Sequence, residues 1–176
     1  MAELERTREY PVPAPELVRI LSSRDYYETR HAWSGISNWH FDAFGETDGG
    51  FLIRLHRPLE IRSDRIPSFA RALLPRSTTL VTELLWRQTE REPFEGRYRF
   101  SLTGVPVEVL GHMKVLGGEN GARQRIRLEI DSRVPLIGGR IAALVTSGVD
   151  RALESDHRAT LRYIDESNPQ EAPRQG

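Results

Sequence analysis

The stretch PLIGGRIAALVTSGVDRALESDHRATLRYI, Pro135 to Ile164, decides the fold, because it reads as one helix of unusual length. Pro135 stands where the first turn of a helix tolerates it, and the next proline is Pro169. At 100° per residue Ile141, Val145, Val149, Ala152, Ala159 and Tyr163 share one side, and Arg140, Arg151, Glu154, Arg158 and Arg162 share the other. Such a helix lies on something apolar. About 28 residues at 1.5 Å each span roughly 42 Å, against a mean helix of roughly 11 residues, so the partner surface is wide. A broad, curved sheet fits.

One residue breaks the stripe. Asp156 projects about 20° from Val145 and Tyr163, and His157 falls toward the border. A regular helix that buries those two neighbours buries Asp156 as well. An uncompensated carboxylate there costs several kcal/mol, so Asp156 is expected to be paired with an arginine, protonated, or open to a wet cavity.

Upstream of the helix the period is two. Candidate strands are Ile36–Gly45, Phe51–Arg57, Thr79–Thr89, Phe94–Leu102, Val107–Leu116 and Arg123–Val134. Alternation from Glu3 to Val12 adds a seventh, with Leu4, Arg6, Arg8 and Tyr10 on one face. Arg6 and Arg8 are therefore the expected partners of Asp156. The connections ETDGG, TEREP, TGVP and GGENG are hairpin length and rich in Gly, Pro, Asp and Asn, which favours an antiparallel meander. In the clearest strands Phe94, Tyr98, Phe100 and Leu102 face in, as do Ile126, Leu128 and Ile130. Between the first two strands, Ala14–Ser22 reads as a short helix burying Leu17, Val18 and Leu21, and Ser23 or Asp25 caps a second one running toward Trp33.

The long connection from Pro58 to Ser77 carries Ile66, Phe69, Ala70, Leu73 and Leu74 at helical spacing. It is expected to be a short helix over residues 66–74, either a lid at a cavity mouth, with Ile66, Phe69 and Leu73 as its lid residues, or a plug in one end of the core. Residues 2–165 form one domain, and the apolar-poor tail 166–176 is expected to be disordered.

Composition excludes several functions. The 176 residues carry 25 basic and 25 acidic side chains, a balance that does not draw a protein to nucleic acid or an anionic membrane. With no cysteine there is no disulfide framework and no thiolate chemistry. No run of 18 apolar residues occurs and the opening MAELERTREY is charged, so a cytoplasmic location is expected. The five histidines, at 31, 40, 56, 112 and 157, form no HxH or HExxH spacing, so no metal and no cofactor is expected. Gly117–Gly118 and Gly138–Gly139 lack the Lys-Ser/Thr of a phosphate loop, and read instead as a hairpin turn and a close helix-to-sheet contact. Ser101, Ser147 and Ser155 lack a GxSxG context, so a serine hydrolase is excluded and no catalytic residue is assigned.

The opening LERTREYPVPAPELVRIL and the RDYYETRH after it resemble the first strand and helical entry of the START-like, birch-pollen-allergen-like superfamily, also called SRPBCC. VPLIGGRI, RALESDHRATLRYI and IPSFARALL are similar to an uncharacterised bacterial family of unknown function within it. The resemblance spans residues 2–165 and implies the α+β helix-grip fold, a seven-stranded curved antiparallel sheet wrapped around a long C-terminal helix, with two short helices after strand one. It also implies a cavity that takes a lipid or another hydrophobic small molecule, and it transfers no active residue. Trp39, Phe41, Trp86, Tyr98 and Phe100 from the sheet, and Val145, Val149, Ala152, Asp156 and Tyr163 from the helix, are the expected cavity lining. Three functions fit: a binder of hydrophobic small molecules, an enzyme of the polyketide-cyclase or aromatase type that orients a reactive chain, and a partner-binding structural protein with a filled interior.

Overall fold

A computed structural model of the protein describes residues 1–168. Seven strands form one sheet: β1 (Ala2–Tyr10), β2 (His40–Thr47), β3 (Gly50–Glu60), β4 (Ser77–Trp86), β5 (Phe94–Leu102), β6 (Val107–Gly118) and β7 (Gly121–Ser132). All neighbours are antiparallel, in the order β1-β7-β6-β5-β4-β3-β2, so a meander from β2 to β7 is completed by β1 at its far edge. Helices α1 (Ala14–Leu21) and α2 (Arg24–Trp33) follow β1, the short α3 (Ser68–Arg71) lies between β3 and β4, and α4 (Gly138–Ser167) closes the fold. This is the expected helix-grip arrangement.

Alternation places one face of each strand inward. On β6 Val107, Val109, Met113 and Val115 are buried, and on β7 Ala122, Gln124, Leu128 and Ile130 are buried. The intervening residues pair across strands on the outer face, as in Arg54–Glu83 at 2.7 Å, Arg123–Glu9 at 3.1 Å and Arg127–Glu3 at 3.3 Å. Gly111 stands at an inward position of β6, where a Cβ would overlap Leu128 Cδ2, so the missing side chain makes room for its neighbour.

α4 runs unbroken past Gly148, but it starts at Gly138 rather than at Pro135. Leu136 takes φ 67° and is fully exposed, so Pro135 and Leu136 turn the chain instead of opening the helix. A Cβ on Gly138 would lie 2.9 Å from the Ser132 carbonyl oxygen, the close approach expected of that glycine. The helix continues three residues past Ile164, through Ser167, and the rest of the expected tail, 169–176, lies outside the described residues.

The buried face of α4 differs from the expected stripe. Ala142, Leu153, Thr160 and Ile164 are buried with Ile141, whereas Ala152 is exposed and Ala159 and Tyr163 are only partly covered. Positions 142, 153 and 164 recur every 11 residues, three turns at about 3.67 residues each, so the covered line holds its heading along the sheet. Relative to the expected stripe it is turned by roughly 70°, with Ile141 common to both and Val145 and Val149 bordering both.

α3 is a four-residue helix, shorter than the expected 66–74. Ala70 is fully buried, and Ile66, Phe69, Leu73 and Leu74 pack into the cluster that holds Ile141, Ala142 and Val109. Arg140 caps the ring of Phe69 at 3.9 Å. This segment closes the end of the core beneath the start of α4.

Candidate functional site

The core divides into two clusters. One gathers α1, α2 and the C-terminal turns of α4 around Leu17, Tyr26, Trp86 and Ile164, and the other gathers α3 and the N-terminal turns of α4 around Ala70, Val109, Ile130 and Ile141. Ile126 of β7 borders both. Where they meet, beneath the middle of α4, an internal cavity offers about 50 Å³ to the centres of water molecules.

Eight elements line it, α1 through Leu21. β1 contributes Arg8 and Tyr10, and α2 contributes Tyr26, Tyr27 and Arg30. The strands add Leu84, Tyr98, Met113, Gln124 and Ile126, and α4 adds Leu153, Asp156, His157 and Thr160. Tyr26 and Arg30 are four residues apart on α2 and Tyr27 and Arg30 three apart, so one helix face presents all three inward. The Arg30 guanidinium lies 5.5 Å and 5.4 Å from the ring centres of Tyr26 and Tyr27.

Polar groups inside the apolar shell are mostly partnered. Thr160 Oγ1 donates to the Asp156 carbonyl at 2.8 Å, and the Tyr26 hydroxyl donates to Thr160 Oγ1 at 2.6 Å. Tyr10 donates to Gln124 Oε1 at 3.2 Å, Gln124 Nε2 points at Met113 Sδ at 2.6 Å, and Tyr27 donates to the Leu21 carbonyl at 3.2 Å. Burial raises the pKa of Tyr10, Tyr26, Tyr27 and Tyr98, so all four are neutral phenols. Arg8 Nε and His157 Nδ1 are buried without a hydrogen-bond partner.

Asp156 is paired, but with neither expected arginine. Its Oδ1 lies 3.3 Å from Nη1 of Arg30 on α2. Arg6 instead forks onto Asp150 with two bonds of 2.8 Å, and Arg8 reaches Glu154 at 2.8 Å. Two residues of strand advance about 7 Å and four residues of helix about 6 Å, so the β1 arginines match carboxylates spaced at i and i+4 on α4. Asp156 faces α2 instead. Its side chain keeps 36 % of its surface accessible although it sits deep among other side chains, because it borders the cavity. Burial and pairing oppose each other here: desolvation raises the Asp156 pKa and outweighs the lowering by Arg30. His31 and His157 are both held below the usual imidazole range, chiefly by burial.

Of the expected lining, Tyr98 and Asp156 border the cavity. Ala152 faces outward and is withdrawn from it, because the buried face of α4 is rotated. Val145, Val149 and Phe100 pack in the α3 cluster. Trp86 is buried in the α1 cluster, and Tyr163 donates to Asp25 at 2.7 Å beside the ring of Tyr26. Trp39 stacks on His31 at 4.1 Å, and Phe41 bridges Trp39 and Phe44 along β2, outside the cavity. Ile66, Phe69 and Leu73 also lie away from it, so their segment plugs the core rather than lidding the site. Arg30, Tyr26, Tyr27 and Gln124 were not anticipated. Two signals in the sequence pointed to them: aromatic and cationic residues in place of aliphatic ones on one face of α2, and Gln124 on the inward parity of Ile126 and Leu128.

Among the described residues no three His, Asp or Glu side chains are grouped to hold a metal ion, and no helix is long and apolar enough to cross a membrane.

Residues 5–164 match the family described as protein of unknown function, DUF2505. No curated protein matches the chain. Similar solved structures include TTHA0849 from Thermus thermophilus, with 13% identity and a TM-score of 0.64 over 95% of this chain and 99% of that one. A START superfamily protein from Mycobacterium smegmatis has 14% identity and a TM-score of 0.57 over 94% and 99% of the two chains. Ara h 8.0201 has 14% identity and a TM-score of 0.58 over 95% and 99%. At these identities the likeness shows the fold alone, and that fold is START-like.

Proposed function

The chain belongs to the DUF2505 family of proteins of unknown function, and from that premise we propose that it binds a hydrophobic small molecule or lipid bearing a polar group, in the cavity between sheet and α4. The observation that carries the reading is the cavity itself, an internal space at the junction of two core clusters with a charged pair, phenol hydroxyls and apolar walls around it. About 10–15 Å³ suffices for one water, so 50 Å³ holds a few waters or a small polar group rather than a whole lipid. A larger body enters only if Met113, Ile126 and Leu153 move apart. Met113 is suited to that by its unbranched, adaptable chain.

The test is native mass spectrometry of protein purified from its own host, in which a retained small molecule is expected. A fluorescent hydrophobic probe should also be taken up by the wild type and rejected by Ile126→Trp, which fills the cavity where the two clusters meet. No retained mass together with no uptake of chemically varied probes refutes binding.

A second reading, an enzyme of the polyketide-cyclase or aromatase type, rests on a specific pair in the same space. Asp156 has a raised carboxyl pKa and Tyr98 is a neutral phenol beside the cavity, so a proton donor and acceptor meet there. Turnover of a linear poly-β-ketone thioester that is lost in Asp156→Asn while binding persists would establish the enzyme. Binding with no turnover leaves the binder.

A further inference from the structure

The polar lining of the cavity is rich in donors and poor in acceptors. Arg30 can present five N–H groups, and Asp156 Oδ1 lies 3.3 Å from one of its nitrogens. Arg57 occupies an inward position of β3, in phase with the buried Ile53 and Leu55, and forms no ion pair among the described residues. Its charge is disfavoured first by burial and then by Arg30, with Asp156 acting against both. Arg8 leaves Nε buried and unpartnered at the cavity wall, although its Nη2 is spent on Glu154. The two histidines nearby are neutral and add no charge to the balance. Two guanidinium charges thus act on one carboxyl, that of Asp156; among the described residues only Arg30 is paired with it, and burial raises the pKa of that carboxyl.

We propose that the polar group of the ligand is an anion, a carboxylate in the simplest case, received at the cavity wall by Arg30 in competition with Asp156, with the charge of Arg57 on β3 adding attraction from outside the lining. A guanidinium holds a carboxylate through paired, charge-assisted N–H donors, and Arg30, backed by the rings of Tyr26 and Tyr27, is already oriented to do so. A carboxylate also supplies the acceptor that the buried Arg8 Nε lacks. This inference rests on the binding reading above and specifies the ligand class.

The experiment uses three probes that share an eight-carbon chain and differ in the head group: octanoate, 1-octanol and octylamine. Binding at pH 7.5 is followed by shifts of backbone amide signals in two-dimensional NMR of the full chain. Octanoate is expected to bind about tenfold more tightly than 1-octanol, the scale of one charge-assisted hydrogen bond in place of a neutral one, and octylamine most weakly. Arg30→Gln should remove the advantage of octanoate and leave 1-octanol unchanged, while Asp156→Asn should strengthen octanoate binding, because the internal competitor for Arg30 is gone. If Arg30→Gln does not fold, Arg57→Gln at the half-buried β3 position supplies the same comparison. Equal affinities for octanoate and 1-octanol, or tighter octanoate binding that survives both arginine substitutions, overturn the anion proposal and leave the binding reading standing. No shift with any of the three overturns both.

Discussion

Removal of the Thr160 hydroxyl tests the centre of the site directly. Tyr26 and Thr160 are each only 1 % exposed, and their oxygens lie 2.6 Å apart. Thr160 spends its own proton on the Asp156 carbonyl, so Tyr26 is the donor between them and Thr160 the acceptor. The two single substitutions are therefore unequal. Thr160→Val keeps the β-branched shape but strands a buried phenol, at about 1–3 kcal/mol. Tyr26→Phe removes the donor and leaves Thr160 still bonded to its own helix, at about 0.5–1.5 kcal/mol. The double variant strands nothing, so it should be no less stable than Thr160→Val alone, with a coupling energy of about 1 kcal/mol. Urea unfolding followed by circular dichroism measures all four proteins, and in a domain of this size each kcal/mol moves Tm by about 2–4 °C. Additivity within about 0.5 kcal/mol would refute the reasoning, since it would mean the hydroxyls do not depend on each other.

Asp156 gives a pH signature. The folded protein holds this carboxyl proton more tightly than the unfolded chain does, so its contribution to stability is fully present below the unfolded carboxyl range and is lost as pH rises through the folded value. Asp156→Asn, which does not ionise, should gain on the wild type over that rise, and parallel unfolding curves from acid to neutral pH would count against a buried Asp156. Gly111→Val should lose about 1–3 kcal/mol in the same unfolding assay, because its Cβ would fall on Leu128 Cδ2; a neutral result would mean that β6 and β7 shift apart freely. Phe69→Ala should lower stability by less than the roughly 3–5 kcal/mol of a fully buried phenylalanine, since Phe69 is only partly covered, and it should leave probe uptake intact; abolished uptake would restore the lid.

The sheet was legible in the sequence because alternation along Phe94–Leu102 and Arg123–Ser132 is a local property, and short polar connections force neighbouring strands together. The existence and length of α4 were legible for the same reason. Its phase was not, because small residues such as Ala142, Ala152 and Ala159 suit either side of a helix, and only packing against β1 and β7 selects one. Arg6 and Arg8 were rightly placed inward, yet with three carboxylates within two turns of α4, the choice of Asp150 and Glu154 over Asp156 depends on where the strand crosses the helix. Arg30 stayed hidden for a related reason. Nothing local to α2 says that its aromatic face meets the one acidic residue on the covered side of a helix more than a hundred residues away.

The position of β1 has a consequence for the order in which the protein assembles. Among the described residues β1 pairs with β7 alone, with Tyr10 opposite Ala122 and Ala2 opposite Ile130, and its arginines clasp α4. Within this domain the element made first is thus completed by the two made last. Until β7 and α4 emerge, β1 is an unsatisfied edge carrying Leu4 and Tyr10, and closing so long a loop places its pairing late and slow. The meander from β2 to β7 needs no such wait, since each of its hairpins closes on the strand just made. Chains halted before Gly121 therefore retain a nascent meander with a free N-terminal strand, the species in which a chaperone or a second nascent chain would find its foothold.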